Sequence, residues 1–190
     1  RRVLFRSSED EIGDAGAMAI ARMLPGSTVE VLDISKIAIQ DRGTAALTDA
    51  VLNLSQRGHS ITIKGKKLPG ALLKIKEGEK YIDVSSDGLG DACAKMIAEL
   101  LPGSSVEDID LCENVITDAG IVEIAKVLKD TCIKILNLGS NAFGDEGAIA
   151  LGSALLGSSV EALDLCNNDI RDEGMAEIAK ALRDSKGQQL

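Results

Sequence analysis

Residues 106–132 read VEDIDLCENVITDAGIVEIAKVLKDTC, and two further stretches of the chain repeat their pattern. The sequence from Ile133 reads IKILNLGSNAFGDEGAIALGSALLGSS, and that from Val160 reads VEALDLCNNDIRDEGMAEIAKALRDSK. Apolar, Asn and Gly positions therefore return every 27 residues. A fixed period of this size predicts one supersecondary unit copied along an axis, with each copy burying its apolar face against its neighbours.

The same register continues toward the N-terminus. Units begin near residues 2, 29, 58, 79, 106, 133 and 160, which predicts about seven units in a single repeat domain over residues 1–190. The unit over residues 58–78 is shortened, and we expect it to lack room for a full helix before the next strand. In the unit from Glu79, Cys93 takes the position that Gly holds in the units after it.

Each unit changes its hydrophobic period part-way along. In the unit from Val106, Ile109 and Leu111 alternate with polar residues, which predicts a short half-buried strand. Later, Ile124, Ala125 and Leu128 recur at helical spacing, so one helical face is expected to be apolar. Between strand and helix, turn-forming residues predict a loop whose recurring glycine needs a permissive backbone; these glycines are Gly120, Gly147 and Gly174.

The segments VEDIDLCENVITDAG, IKILNLGSNAFGDEG and VEALDLCNNDIRDEG share the pattern LxxLxLxxN followed by an (I/F)xDxG loop and a helical stretch. This pattern resembles the leucine-rich repeats of the ribonuclease-inhibitor type over nearly the whole chain. The resemblance implies an α/β solenoid in the shape of a horseshoe, with a parallel sheet on its concave side and helices on its convex side. Members of that family mostly bind other proteins, although unrelated tasks share the scaffold.

Composition limits the classes of function. The net charge of −9 argues against a nucleic-acid partner, because phosphate binding depends on clustered Lys and Arg. No apolar run of about 18 residues is present, so no transmembrane segment is predicted. Aromatic residues make up only 2% of the chain, which suits stacked repeats filled by Leu, Ile, Val and Ala.

Equivalent strand positions of stacked units form columns of side chains about 4.8 Å apart. One predicted concave column is mainly acidic and contains Arg6, Asp33, Thr62, Asp83, Asp110, Asn137 and Asp164. We interpret Tyr81 together with the last four as a partner-binding face for a protein with a basic surface. The alternative is that Asp is simply usual in LDL-type strands. The neighbouring predicted column is small: Ser8, Ser35, Lys64, Ser85, Cys112, Gly139 and Cys166.

The shortened unit carries a basic cluster of five lysines: Lys64, Lys66, Lys67, Lys74 and Lys76. One interpretation is a docking patch for an acidic surface. The other, which we favour, is that these residues keep a thin part of the solenoid soluble. Neither end of the chain shows a polar cap, which suggests either a fragment of a longer protein or a subunit whose ends are covered in a larger complex.

No catalytic, cofactor or metal site is predicted. His59 is the only histidine and has no nucleophile motif beside it, and no phosphate-binding or zinc-protease motif occurs. We therefore expect a non-enzymatic interaction module or scaffold subunit. The alternative is a regulator of a small GTPase, because the Ran GTPase-activating proteins resemble the same repeat type. Arg42 and Arg171 lie in predicted strand-to-helix loops, and replacing them by Ala would test this role.

Cysteine usage favours a reducing compartment, either the cytoplasm or an organelle reached after removal of a transit peptide. Cys112 and Cys166 occupy one column two units apart, which puts their Cα atoms beyond disulfide reach. Cys93 and Cys132 are predicted to be small buried hydrophobic residues.

Overall fold

The computed structural model describes residues 3–6, 12–34, 39–59, 61–64 and 68–185. The chain divides into two compact units, Arg1–Leu73 and Lys74–Leu190. The strands are β1 Val3–Arg6, β2 Val29–Asp33, β3 Thr62–Lys64, β4 Tyr81–Asp83, β5 Asp108–Asp110, β6 Ile135–Asn137 and β7 Ala162–Asp164. The helices are α1 Asp14–Met23, α2 Asp41–Gln56, α3 Leu68–Glu77, α4 Asp91–Leu100, α5 Asp118–Val127, α6 Asp145–Leu155 and α7 Asp172–Ser185. Short 3₁₀ turns follow α1 and α5, at Leu24–Gly26 and Leu128–Asp130.

Strand and helix alternate along the chain, and every strand pair is parallel. The first unit holds a three-stranded sheet in the order β1-β2-β3, and the second holds a four-stranded sheet in the order β4-β5-β6-β7. In the second sheet, Ile82 pairs with Ile109, Ile109 with Leu136, and Leu136 with Leu163. Residues paired on neighbouring strands of this sheet are 27 residues apart in sequence, which equals the period of the repeat. The α/β solenoid predicted from that period is confirmed.

The core lies between each sheet and its helices. In the second unit, the strand residues Ile109 and Leu136 are fully buried, as is Leu111, which follows β5. Ile124 and Leu128 of the predicted apolar helical face are buried as well. The first unit has its own core, in which Leu32 and Ile34 contact buried residues of α1 and α2. The pattern of alternation followed by helical spacing therefore predicted the buried positions correctly.

The shortened unit differs from the prediction in two ways. Its helix α3 has ten residues, as many as α4 or α5, so the expectation that no full helix fits there is wrong. The unit is shorter because only three residues separate β3 from α3 and only three separate α3 from β4, whereas seven residues lie on each side of α4. In addition, Lys64 pairs with Asp33, whereas Thr62 pairs with Val31. Lys64, and not Thr62, therefore occupies the column of Asp33.

A ladder of asparagines joins successive repeats; Asn114 is buried, and Asn141 and Asn168 are partly buried. Asn114 donates from its amide nitrogen to the carbonyls of Leu111 and Cys112 in its own turn and to that of Val84 in the preceding repeat. Its amide oxygen accepts the backbone N–H of Leu89 at 2.9 Å. Asn141 and Asn168 repeat the donations one and two units later. Because each amide satisfies carbonyls of two successive repeats, Asn recurs at this position.

A second inter-repeat contact caps the helices. The Oδ1 atom of Asp118, in the first turn of α5, accepts the N–H of Gly144 at 2.8 Å and that of Gly147 at 2.7 Å, both at the start of α6. Asp91 and Asp145 make the same pair of contacts to α5 and α7. The first-turn carboxylate of one helix thus satisfies the unpaired N–H groups at the N-terminus of the next.

These contacts explain the recurring glycines, and the explanation differs from the predicted one. Gly120, Gly147 and Gly174 are each the third residue of a helix and do not have left-handed backbone angles. A Cβ atom on Gly147 would lie 2.8 Å from Asp118 Oδ1, and one on Gly120 would lie 2.6 Å from Asp91 Oδ1. The glycine is therefore required by the close approach of the carboxylate and not by a loop.

Candidate interaction surface

In the described part of the second unit, no helix covers one face of the sheet. Along each strand the middle residue points toward the helices, and Ile82, Ile109 and Leu136 are accordingly buried. The first and third residues point the other way, because side chains alternate across a strand. We call the surface formed by these eight side chains the open face: Tyr81, Asp83, Asp108, Asp110, Ile135, Asn137, Ala162 and Asp164.

The five residues predicted to bind a partner all lie on the open face. Tyr81 begins β4, and the other four end β4 to β7 in register: Asp83, Asp110, Asn137 and Asp164. The sequence prediction did not include Asp108, Ile135 and Ala162. Alternation puts each of them on the outward side of its own strand, and the pairing of the strands puts them in the row of Tyr81. The partner-binding role of the whole set remains a prediction.

The acidic character of the predicted column is limited to the second unit. In the first unit the equivalent register positions are Arg6, Asp33 and Lys64, one acidic residue between two basic ones. The open face of the second sheet, in contrast, carries four aspartates and no Lys or Arg.

Each residue that ends a strand of the open face closes a turn. The Oδ1 atoms of Asp83, Asp110, Asn137 and Asp164 accept the backbone N–H two residues later at 2.9, 3.0, 3.1 and 2.9 Å. The following residue then adopts a left-handed conformation with φ between 52° and 54°; these residues are Ser86, Glu113, Ser140 and Asn167. Short Asx side chains favour such turns, so the strand-end Asp has a structural reason to be there. Asn137 closes its turn in the same way, so turn closure requires the side-chain oxygen and does not require the negative charge. The structural role of Asp is therefore compatible with a binding role.

Two thiols lie beside the acidic column. Burial, and then a hydrogen bond to Asp110, raise the pKa of Cys112 to about 11. A hydrogen bond to Asp164 raises the pKa of Cys166, whereas the backbone N–H of Cys166, and then the hydrogen bond from its thiol, lower the pKa of Asp164. Both side chains are therefore neutral thiol donors at neutral pH. Cys93 is buried as predicted, whereas Cys132 is exposed, so the prediction of a buried Cys132 is wrong.

Oppositely charged side chains pair at the residues that come just before strands β4, β5 and β6. Glu107 accepts hydrogen bonds from Lys80 and, at 2.8 Å, from Lys134; each partner lies 27 residues away. Hydrogen bonds from these two lysines, Lys134 first, lower the pKa of Glu107 to about 2. Lys80 and Lys134 are thus engaged with Glu107.

The remaining predicted site residues are the five lysines of the basic cluster. Lys66 and Lys67 lie outside the described residues; Lys64 is exposed in the first unit, and Lys74 and Lys76 are exposed in the second. The docking role of this cluster remains a prediction.

Arg42, the second residue of α2, and Arg171, just before α7, are both exposed. His59, together with Glu30 and Ser27, lines a cavity of about 290 Å³ in the first unit. Within the described parts of the chain, no group of three or more His, Cys, Asp or Glu residues could hold a metal ion. No helix in those parts is long and apolar enough to cross a membrane.

Comparison with known proteins agrees with the geometry. The profile of the Leucine Rich repeat family matches residues 129–152 and 158–179, which contain β6, most of α6, β7 and half of α7. The chain contains leucine-rich repeats. A solved structure titled Leiomodin-1 Actin-Binding Site 2 superposes with a TM-score of 0.55 at 23% identity, covering 61% of this chain and 72% of that one. At this identity the likeness shows the fold.

A second solved structure covers more of the chain with a poorer superposition. It is an internalin from Listeria monocytogenes, with a TM-score of 0.37 at 18% identity; the match covers 91% of this chain and 51% of the internalin. No curated protein matches the sequence.

Proposed function

We propose that this chain is a non-enzymatic protein-interaction module, of the ribonuclease-inhibitor type of leucine-rich repeat, that binds its partner through the open face of the second sheet and serves as a scaffold or accessory subunit. The 27-residue period and a full helix after each strand support the repeat type. The observation that carries the function is a rigid sheet face that presents four aspartates beside two exposed apolar side chains, Tyr81 and Ile135.

The physical case rests on rigidity and charge. The β5 and β6 backbones are hydrogen-bonded on both sides, so the face is held in one conformation before a partner arrives. A preorganised surface loses little conformational entropy on binding. Four aspartates on one face would attract a basic partner and orient it during encounter. The leiomodin structure, whose title names an actin-binding site, is a leucine-rich repeat neighbour that acts on a protein, which is consistent with the proposed class of function.

The test is partner capture with a charge-reversed open face. The immobilised chain would be exposed to a soluble extract of its source cells, and retained proteins would be quantified by mass spectrometry. We expect Asp83→Lys, Asp110→Lys and Asp164→Lys together to release proteins that the unchanged chain retains. Circular dichroism would confirm that the variant is folded.

The matched control reverses three exposed acidic residues elsewhere in the second unit, Glu99→Lys, Asp130→Lys and Asp169→Lys, and so changes the net charge by the same amount. This control should retain the same proteins as the unchanged chain. If the charge-reversed variant and the control variant retain the same proteins as each other, the open face is not the binding surface.

A further inference from the structure

The repeat that contains α7 exposes the side that earlier repeats bury against their successors. Met175, the fourth residue of α7, is 48% exposed, whereas Ile121 and Ala148, at the same position of α5 and α6, are fully buried. Ala179 is exposed, although its equivalent Ala125 is buried. We call this surface the tail face and define it by Asp172, Met175, Ala179 and the outer edge of β7.

Asp172 adds a hydrogen-bond acceptor to the tail face. It is the first residue of α7, the position from which Asp118 and Asp145 of the preceding helices accept N–H groups of the next helix. Among the residues that the structure describes, nothing donates a hydrogen bond to Asp172 or pairs with its charge. A partner that covered the tail face without supplying a donor would leave this carboxylate buried and unpaired, at a high cost.

The first repeat exposes the opposite side, the one that later repeats bury against their predecessors. Met23, the tenth residue of α1, is 74% exposed, whereas Ala50 and Ala181, at the same position of α2 and α7, are buried. Ala181 is buried although no repeat follows α7 in the described part of the chain, so this position faces the preceding helix. We call this surface the head face and define it by Gly13, Gly16, Met23 and the outer edge of β1.

The head face carries the donors that match Asp172. The N–H groups of Gly13 and Gly16 take the positions of those of Gly144 and Gly147, which donate to Asp118. No acceptor for these two N–H groups lies in the described ranges of the chain. A Cβ atom on Gly16 would meet only Ile12 of its own repeat, so the space that a carboxylate of a preceding helix takes at Gly147 is open here.

The register within the chain shows how the apolar parts of the two faces meet. The Cβ atom of Ala148 would lie 2.8 Å from a Cβ on Gly174, so the fourth residue of one helix contacts the third residue of the next. In the same register Met175 meets Gly16. Ile121 is fully buried at the position of Met175, which shows that a large apolar side chain fits there.

Charge is divided unequally between the two units. Residues 1–73 contain ten Lys and Arg against eight Asp and Glu, whereas residues 74–190 contain 11 against 22. Two copies that met through their second units would bring two strongly acidic surfaces together, and these repel each other. Contact between the second unit of one copy and the first unit of another avoids this repulsion and favours the head-to-tail orientation.

We propose that the tail face of this chain binds the head face of a second copy, as one repeat binds the next within the chain. The Asp172 carboxylate accepts the N–H groups of Gly13 and Gly16 of the second copy, Met175 packs against its α1, and β7 pairs in parallel with its β1. The contact joins two different surfaces, so each added copy leaves one tail face and one head face open for further growth. This interaction goes beyond the proposed function and uses no side chain of the open face.

The test measures the mass of the 190-residue chain by sedimentation velocity over a range of protein concentrations, the lowest being that of an optical unfolding experiment. We expect the mass of one copy at the lowest concentration and a mass that rises past two copies at the highest. A mass that stays at one copy would show that a second copy does not cover the tail face. A mass that stops at two copies would indicate a symmetric contact, and either result overturns the proposal.

Variants that block one face each provide the sharper test. The tail variant is Asp172→Lys with Met175→Ser, and the head variant is Met23→Glu; all three positions are exposed, so both variants should fold, which circular dichroism would check. Each variant alone should need at least about tenfold more protein to associate, because an apolar contact is lost. An equimolar mixture should form pairs and stop there, since one intact tail face and one intact head face remain.

The matched control is Asp130→Lys with Val115→Ser, which changes an exposed aspartate and an exposed apolar residue away from both faces. It should associate like the unchanged chain. Association weakened equally by the control, or a mixture of the two variants that forms no pairs, would show that copies meet elsewhere and would refute the head-to-tail contact. Because the tail and head faces share no side chain with the open face, these results leave the capture experiment to decide the proposed function.

Discussion

Replacing Asp118 by Ala should destabilise the repeat that follows it. The Asp118 carboxylate accepts two N–H groups of the α6 N-terminus, at 2.8 and 2.7 Å. Loss of a helix cap costs about 0.5 to 2 kcal/mol, and hydrogen bonds to a charged group are worth about 1.5 to 3 kcal/mol. Because both contacts are lost together in a partly buried site, we expect the free energy of unfolding to fall by about 2 to 3 kcal/mol.

The chain contains a matched control for this experiment. Asp172 takes the same first position of α7, and among the described residues no further repeat follows it. Asp172→Ala removes the favourable interaction of an acidic residue with its own helix dipole, about 0.3 to 1 kcal/mol, which Asp118→Ala also removes. The difference between the two variants therefore isolates the inter-repeat contacts. Asp118→Asn, which keeps an acceptor oxygen but loses the charge, should fall between them.

Urea unfolding followed by circular dichroism would measure the difference, with variants compared at a common m-value. Native-state hydrogen exchange should show the largest loss of protection at Gly144 and Gly147, the two donors. If Asp118→Ala and Asp172→Ala agree to within about 0.5 kcal/mol, within the usual spread of surface substitutions, then the carboxylate caps do not stabilise the stack and the reasoning is refuted.

Two further predictions concern the glycines and the paired charges. Gly120→Ala should destabilise the protein by about 1 to 3 kcal/mol, because the added Cβ meets Asp91 Oδ1. Gly70→Ala, at the same helical position of α3 with nothing within 4 Å of the added Cβ, should stabilise the protein by up to about 1 kcal/mol. Thermal unfolding should show shifts of opposite sign for the two variants, and shifts of the same sign would contradict the explanation. The pKa of Glu107 is about 2 when folded and 4.5 ordinarily, so its contribution to stability is fully present above pH 4.5 and is lost as pH falls through about 2. Urea titrations across this range should show the difference between wild type and Glu107→Gln shrinking with acidity; a constant difference would argue against the pairing.

Local patterns predicted most of the fold. Alternation around Ile109 and helical spacing from Ile124 to Leu128 identified the strand, the helix and their buried faces, because burial on one side imposes those periods on any strand or helix. The same register placed Asp83, Asp110, Asn137 and Asp164 in one column of the second sheet, and the structure agrees. It also predicted that the turn asparagine is a fixed part of the repeat.

The errors arose where local patterns carry no information. The sequence pattern predicts Thr62 in the column of Asp33, but Lys64, two residues later, occupies that column. A register error of one residue would place the apolar side chains of the strand on the wrong face of the sheet. An error of two residues keeps every side chain on its correct face, so the alternation does not reveal it. The length of the shortened unit was likewise assigned to its helix, because the sequence shows how many residues are missing and not which element loses them.

The sequence by itself determined the period, the solenoid and the positions that face the core, because each repeat must bury the same apolar stripe against the next. Only the tertiary structure decided why Gly120, Gly147 and Gly174 recur and which side chains share the open face with Tyr81. Those properties belong to stacked repeats: a carboxylate meets a glycine 29 residues ahead, and Tyr81 lies two strands from Ile135 because β5 pairs with both β4 and β6. Stacking creates these contacts, and no single repeat contains them.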